Sequence, residues 1–350
     1  MEAGLLAFFI ALAASLALMV PVRALALRVG MVDLPGPRKV HLQPIPMLGG
    51  VAMYGAVVLA ILFAFHGPAR EQVVGILAGA TLVAAVGIMD DRGLLHHQIK
   101  LFLGMPIAAG ILLLCGIRAQ VFSVLVGGRS GDVLDALLTI VWVVGITASF
   151  SILDHMDGLC AGIAAMASIF FAMIAYLNGQ TLVTVLAAAV LGAATGFLRW
   201  NFKPAKIFMG DGGAMFLGYL MATLGLKLRV ENASHLSAWL APLLILGATI
   251  FDTTLVTISR SRRGFLPFTT PGKDHTAHRL ANLGLGQRGA VLLMYLLGAF
   301  GGGTAVLIGY LSTRGALYTG LAALAVILVG VAFLERAPYE KQVRKARIAA

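Results

Sequence analysis

Five aspartates fall in three separated groups, Asp90 with Asp91, Asp154 with Asp157, and Asp211, and each group stands at the end of an apolar run. Carboxylates gathered in this way suit a hard divalent cation, which takes carboxylate, phosphate and water oxygens. Magnesium fits best, with manganese as an alternative. The two cysteines, Cys115 and Cys160, are too few for a structural zinc site and fall at opposite ends of their runs, which argues against a disulfide. Five carboxylates meeting in one place would repel one another unless a cation sat among them.

The local patterns differ. Asp90 and Asp91 are adjacent, so on a helix they point about 100° apart and one of them should face the site. Asp154 and Asp157 are three apart and would share a helix face, with Gly158 letting a ligand or a second backbone come close. Asp211, in Phe208-Met209-Gly210-Asp211-Gly212-Gly213, reads by itself as a helix N-cap. The segment before it, Arg199 to Lys206, adds Asn201, aromatic rings and cations, a mixture suited to a nucleotide base and its phosphates. Lys39 and His41, ahead of Pro44 to Gly50, are candidate phosphate ligands. So are His275, His278 and Arg279 in Lys273-Asp274-His275-Thr276-Ala277-His278-Arg279; His96 and His97 are weaker ones.

The elements that must carry these groups belong in a bilayer. Of 350 residues, 59% are hydrophobic and 12% charged, with mean hydropathy +0.94, well beyond a soluble domain. Eleven apolar runs approach a span's length, near 2–22, 47–66, 71–89, 98–116, 133–153, 158–177, 181–198, 211–228, 238–259, 289–311 and 316–335. With the N-terminus outside and the C-terminus inside, the inner loops and tail hold 20 of the 26 Lys and Arg residues, as the positive-inside rule requires. That orientation places every aspartate group on the cytoplasmic face. The expectation is an all-α, polytopic bundle of about eleven transmembrane helices, one domain over 1–350, with a cytoplasmic cleft and a long inner loop at 260–288. The first run follows Glu2 without a basic flank, so it should remain as a helix. The net charge of +11 lies in short loops without a nucleic-acid-binding pattern, so the partner is anionic lipid and no nucleic acid. The basic stretch from Glu340 to Arg347 suits the inner leaflet and equally an ordinary solvated end, and it takes no catalytic role.

In order along the chain, Pro46 to Gly50, Asp90-Asp91, Asp154-x-x-Asp157-Gly158, Asn201 to Asp211, and the histidine-bearing last inner loop resemble the polyprenyl-phosphate N-acetylhexosamine-1-phosphate transferases (MraY/WecA type, glycosyltransferase family 4). The resemblance covers nearly the whole chain. It implies magnesium-dependent transfer of a sugar 1-phosphate from a UDP-sugar to polyprenyl (undecaprenyl) phosphate at the plasma membrane, releasing UMP. It also implies roles: Asp211 as metal ligand, Asp90 and Asp91 for metal and lipid phosphate, and Asp154 and His278 within the catalytic group. Asp157, Asn201 and Phe208 would place the nucleotide, while Lys39, His41, Lys206, His275 and Arg279 would bind substrate phosphates. The pattern His-His-His-Phe-Glu is absent, which favours UDP-GlcNAc as donor. Two departures stand out. The family's Asn-x-x-Asn reads Ala148-Ser149-Phe150-Ser151, and His-x-His-His reads His275-Thr276-Ala277-His278. A homodimer is left open.

Two other readings compete. Asp154-x-x-Asp157-Gly158-x-x-Ala161 begins like the aspartate motif of the CDP-alcohol phosphotransferases, but Gly162 occupies that motif's Arg position, and Phe171, Ala175 and Gly179 occupy its later Gly, Asp and Asp positions. A secondary transporter would explain Asp252 inside an apolar run.

Overall fold

The computed structural model describes residues 2–35, 43–95, 97–231, 233–266 and 272–339. Each of the eleven apolar runs becomes helical. The helices used below are α1 (Glu2–Arg28), α2 (Gly49–Ala64), α3 (Arg70–Asp91), α4 (Lys100–Leu114), α5 (Gly128–Leu153), α6 (Leu159–Leu177), α7 (Thr181–Asn201) and α8 (Gly210–Lys227). They continue with α9 (His235–Ile245), α10 (Gly247–Arg262), α11 (Thr276–Ile308) and α12 (Thr313–Leu334). Seven described helices are long and apolar enough to cross a membrane, and α9 with α10 make an eighth if the bent pair counts as one span.

Three sequence expectations are corrected. The run at 238–259 is not one straight span: it breaks at Leu246, where α9 and α10 meet at 70°. Pro242 lacks the N–H that would bond one turn back, and Gly247 opens the second half. The chain is not purely helical, because Val32–Asp33 pairs antiparallel with Ile45–Pro46 in a two-residue ladder ahead of α2. Asp154 and Asp157 do not share a helix face, since α5 ends at Leu153 and α6 begins at Leu159. They stand in the turn between, where Gly158 takes φ +77°, a left-handed value that suits a residue with no Cβ.

Helix α8 is the axis of the bundle. All of its 18 residues except Asp211 and Lys227 are buried, as expected for a helix apolar on every side. It lies against α2, α3 and α5. Two of those contacts run backbone to backbone: a Cβ on Gly50 would stand 2.3 Å from Gly213 Cα, and one on Gly87 would stand 2.5 Å from Gly212 Cα. Within a membrane, small residues of this kind let helices approach closely enough for dispersion to hold them. Both contacts occur at the first turn of α8, so they fix the start of that helix against the end of α3 and the start of α2. Backbone bonds complete the seam. Phe208 N–H donates to Pro46 O at 2.8 Å, and the N–H groups of Gly49 and Gly50 donate to Phe208 O and Met209 O at 2.9 and 3.0 Å.

Candidate active site

The close approach at Gly87 and Gly212 carries Asp90, three residues farther along α3, to the side of Asp211. Lys100, the first residue of α4, bridges the two: its Nζ donates to Asp90 Oδ2 at 2.7 Å and also to Asp211 Oδ2. Ser151 Oγ donates to the other oxygen, Asp211 Oδ1, at 2.8 Å. Carboxylates from two helices thus meet within reach of one cationic group, and the surrounding donor atoms are oxygens. That set fits a hard divalent cation held by Asp90 and Asp211.

Asp91 stands apart from this pair. Expected among the metal ligands, its carboxylate instead accepts the N–H of Asp211 at 2.9 Å and of Gly212 at 3.2 Å, clamping the first turn of α8. A negative charge is favoured there by the unpaired amides and the helix dipole. Asp211 is correspondingly not the N-cap that its local sequence suggested. The capping carboxylate comes from α3, which frees the Asp211 side chain to face Lys100 and Ser151.

Asp154 lies just past the end of α5, partly exposed at its surface. Burial of its carboxyl, followed by the charges of Asp211, Asp91 and Asp157, pushes it up to about 8. It therefore belongs electrostatically to the same acid group, and a bound cation would favour its ionised form. Asp157 and Asn201 are positioning residues rather than groups held out to a nucleotide. Asp157 Oδ2 accepts Ala205 N–H at 3.0 Å, while Asn201, buried, accepts Gly158 N–H and donates to Ile207 O, both at 2.9 Å. Together they fix the segment 202–209 against the 154–158 turn. Lys206 is exposed on that segment, and Phe208 is half-buried. Lys39 and His41, and the weaker candidate His96, lie outside the described residues.

The histidine loop folds over the other side of the 154–158 turn. His155, which the motif reading passed over, places its ring centroid 3.9 Å from that of His275 and 4.7 Å from that of His278. Three imidazoles are thereby assembled although position 277 holds alanine, and Ala277 is fully buried. Burial, and then His275 and His278, push His155 well below the ordinary imidazole range. His275 Nδ1 bonds Asp252 Oδ2 at 2.9 Å, and Asp252 Oδ1 accepts Thr276 N–H at 2.7 Å. Asp252 thus supports the loop rather than lining a transport path. His155, Asp252 and His275 have the spacing of a metal site. However, Arg260 Nη2 lies 3.3 Å from His275 Nε2, and that guanidinium would repel a second cation there.

Arg279 corrects a further expectation. In place of reaching out to phosphate, it is fully buried and donates to Asp274 O at 2.8 Å, Leu334 O at 2.7 Å and Ser259 Oγ at 2.7 Å. It also pairs with Glu335 at 2.9 Å and lies over the Tyr339 ring at 4.1 Å. Beside it, Arg260 and Arg263 converge on buried Asp274, with Arg260 Nε and Nη2 at 3.0 and 2.8 Å from its oxygens. Burial opposes the Asp274 charge, but hydrogen bonds and charge from Arg260 and Arg263 prevail and hold its carboxyl below the usual range.

Of the residues that sequence reasoning missed, Lys100 had only the weak signal of a lysine opening an apolar run. His155 sat unremarked between Asp154 and Asp157.

Comparison with known proteins identifies the family. The glycosyl transferase family 4 model matches residues 73–229, a stretch that holds Asp90, Asp91, Lys100, Asp154, Asp157, Asn201 and Asp211 and stops short of the histidine loop. The chain is 35% identical over 294 residues to the probable undecaprenyl-phosphate N-acetylglucosaminyl 1-phosphate transferase of Bacillus subtilis (strain 168), covering 83% of this chain and 81% of that protein. It is 34% identical over 348 residues to the decaprenyl-phosphate N-acetylglucosaminephosphotransferase of Mycolicibacterium smegmatis, covering 91% and 85%. A phospho-N-acetylmuramoyl-pentapeptide-transferase of Streptococcus thermophilus matches over 202 residues at 30% identity, covering 53% of this chain and 59% of that protein. With an acid cluster at helix ends, the ordered motifs around it and relatives aligned over most of their length, the chain belongs to glycosyl transferase family 4, the polyprenyl-phosphate sugar-1-phosphate transferases that its motifs resemble.

Proposed function

We propose that this protein transfers N-acetylglucosamine 1-phosphate from UDP-GlcNAc to a polyprenyl phosphate, giving polyprenyl-diphosphate-GlcNAc and UMP at the start of cell-envelope glycan synthesis. The observation that carries the reading is the meeting of Asp90 and Asp211 around one cationic position, with Asp91 fixing the helix that bears Asp211. The names of the relatives, N-acetylglucosamine phosphotransferases acting on undecaprenyl or decaprenyl phosphate, support the same donor and acceptor classes. The transporter reading loses its ground. Asp252 is bonded to His275 and Thr276, and the other acids gather at helix ends instead of along a midplane path.

The lipid phosphate acts as nucleophile. One of its oxygens forms a bond to the β-phosphorus of the donor, the bond from that phosphorus to the oxygen bridging to UMP breaks, and UMP leaves with the electron pair. A phosphate monoester has a second pKa of about 6, so the attacking oxygen is already anionic at neutral pH and needs little help from a base. Joining two anions is the larger obstacle. Magnesium, with manganese as the alternative, would supply neutralisation of the diphosphate oxygens and of charge developing on UMP. Asp90 and Asp211 would hold it, Ser151 orients Asp211, and Asp91 fixes the backbone. Lys206 and His278 stand on the two segments flanking the acids, where phosphates would be bound, and Asp157 with Asn201 shapes the nucleotide side. The nucleophile is membrane-bound and the donor is soluble, so we place the cleft on the cytoplasmic face of the cell membrane, in an eleven-span, N-out and C-in chain. A homodimer is compatible with this reading.

The test is transfer of radiolabelled GlcNAc 1-phosphate to undecaprenyl phosphate by the purified protein. Labelled lipid and UMP should appear together in wild type and vanish in Asp211→Asn. Unchanged turnover in that variant overturns the assignment of Asp211.

A further inference from the structure

Lys100 occupies the position where two carboxylates would otherwise bind a divalent cation, and little else in the structure needs it there. The helices that it joins are already fastened: α3 and α8 touch backbone to backbone at Gly87 and Gly212, and Asp91 clamps the amides of Asp211 and Gly212. Asp211 keeps a second donor in Ser151. A lysine that spans Asp90 and Asp211 therefore adds charge balance more than fastening. With Lys100 in place, two carboxylates and one ammonium leave one net negative charge; a divalent cation in its place leaves none. The two cations cannot share the same oxygens, because a few ångströms of separation between like charges is strongly unfavourable in a partly buried site. The Lys100 side chain is 17% exposed and opens α4 on a flexible four-carbon stem, so it has a route outward.

We propose that Lys100 is an internal cation that balances the charge of the Asp90–Asp211 pair and is exchanged for the divalent ion, its released ammonium then facing the phosphates that arrive with the substrates. This rests on the reading of Asp90 and Asp211 as the cation-binding pair. Removal of Lys100 therefore has opposite effects on two quantities. Metal binding improves, because the competitor is gone. Transfer worsens, because the ammonium that offsets phosphate charge is gone as well.

The experiment measures Mn2+ binding to the detergent-purified protein without substrate, by loss of the free-ion paramagnetic resonance signal. Lys100→Met should tighten the Mn2+ dissociation constant by about tenfold or more, since it deletes a competing charge in direct contact with both ligands. Lys100→Arg, which keeps the charge, should stay within about threefold of wild type. UMP release at saturating Mn2+ should fall in Lys100→Met although its metal site is filled. A structural salt bridge alone would leave the Mn2+ constant unmoved, and an unchanged or weaker constant in monodisperse Lys100→Met overturns the proposal. A second measurement uses wild type. If Lys100 is displaced, Mn2+ should increase its acetylation by acetic anhydride, read by mass spectrometry against Lys227 as reference; unchanged or reduced labelling is equally fatal. Failure of the underlying reading looks different, because then neither wild type nor Lys100→Met binds Mn2+.

Discussion

The acid site and the arginine–histidine platform beside it are both built from charged residues at helix ends, yet they are held together by opposite means. At the acid site the positioning is done by backbone. Gly50 meets Gly213, Gly87 meets Gly212, and Asp91 accepts two amides, so the side chains of Asp90, Asp211 and Lys100 remain available for exchange. On the platform the positioning is done by the charges themselves. Arg260, Arg263, Asp274, Arg279 and Glu335 pair with one another in a buried network, and residues that look like phosphate ligands in the sequence are spent on folding the loop. A cationic cluster near an active site is therefore available to substrate only where something other than its own charge holds it in place.

The largest effect expected from this contrast is on Arg279. Arg279→Ala leaves the buried acceptors Asp274 O, Leu334 O and Ser259 Oγ without that donor and Glu335 with only Arg262, 3.6 Å away, and breaking a buried pair by removing one member costs about 3–5 kcal/mol. The melting temperature should fall sharply, while KM for the proposed donor, UDP-GlcNAc, in the surviving folded protein stays near wild type. The reverse pattern, a raised KM with an unchanged melting temperature, would make Arg279 a phosphate ligand and erase the difference between the two regions.

Next comes the glycine seam. Gly50→Ala places a Cβ 2.3 Å from Gly213 Cα, a backbone atom that can move only by shifting α8 and Asp211 with it. Displacing a catalytic group by about 1 Å can cost about 100-fold in rate, so turnover should fall by that order. Gly303→Ala on α11 is the control, since nothing lies within 4 Å of its added Cβ, and it should leave turnover unchanged. Equal rates in the two variants would show that the seam does not position the acids.

This division also explains what the sequence could reveal. Apolar runs mark helices because each must satisfy its own backbone in lipid, and every one of the eleven became helical. Asp90 and Asp211 were legible as candidates because they belong to an ordered set of motifs at the ends of such runs, although Asp211 alone reads as an N-cap. Residues whose partners are remote were not. Asp91 caps a helix that starts 119 residues later, at Gly210, which no local pattern records. Lys100 looked like one basic flank among several, and its meaning lies in Asp211, 111 residues away. Arg279 was misread for the converse reason: residue type gave it a phosphate, and only the fold supplies Leu334, Glu335 and Tyr339 to claim it. The 70° break at Leu246 was hidden because both halves are apolar.

The smallest effects concern the two positions where the family's amides are missing, and they separate the departures. Ser151 still supplies a donor, its Oγ reaching Asp211 Oδ1 at 2.8 Å. Ser151→Ala removes one hydrogen bond to a charged group, about 1.5 kcal/mol at the low end of the usual range, and should reduce turnover about tenfold. Ser151→Asn restores a donor and should return most of that loss. Ala148 faces inward on α5 and is 6% exposed, so Ala148→Asn must force a larger polar side chain into packed space, at a cost of about 1–3 kcal/mol in stability with no gain in rate. Measured together, the two variants ask whether the site needs an amide or only a donor at Asp211. A gain in turnover from Ala148→Asn would mean that the acid site depends on α5 side chains at that position as well, and that the backbone seam is not sufficient to order it.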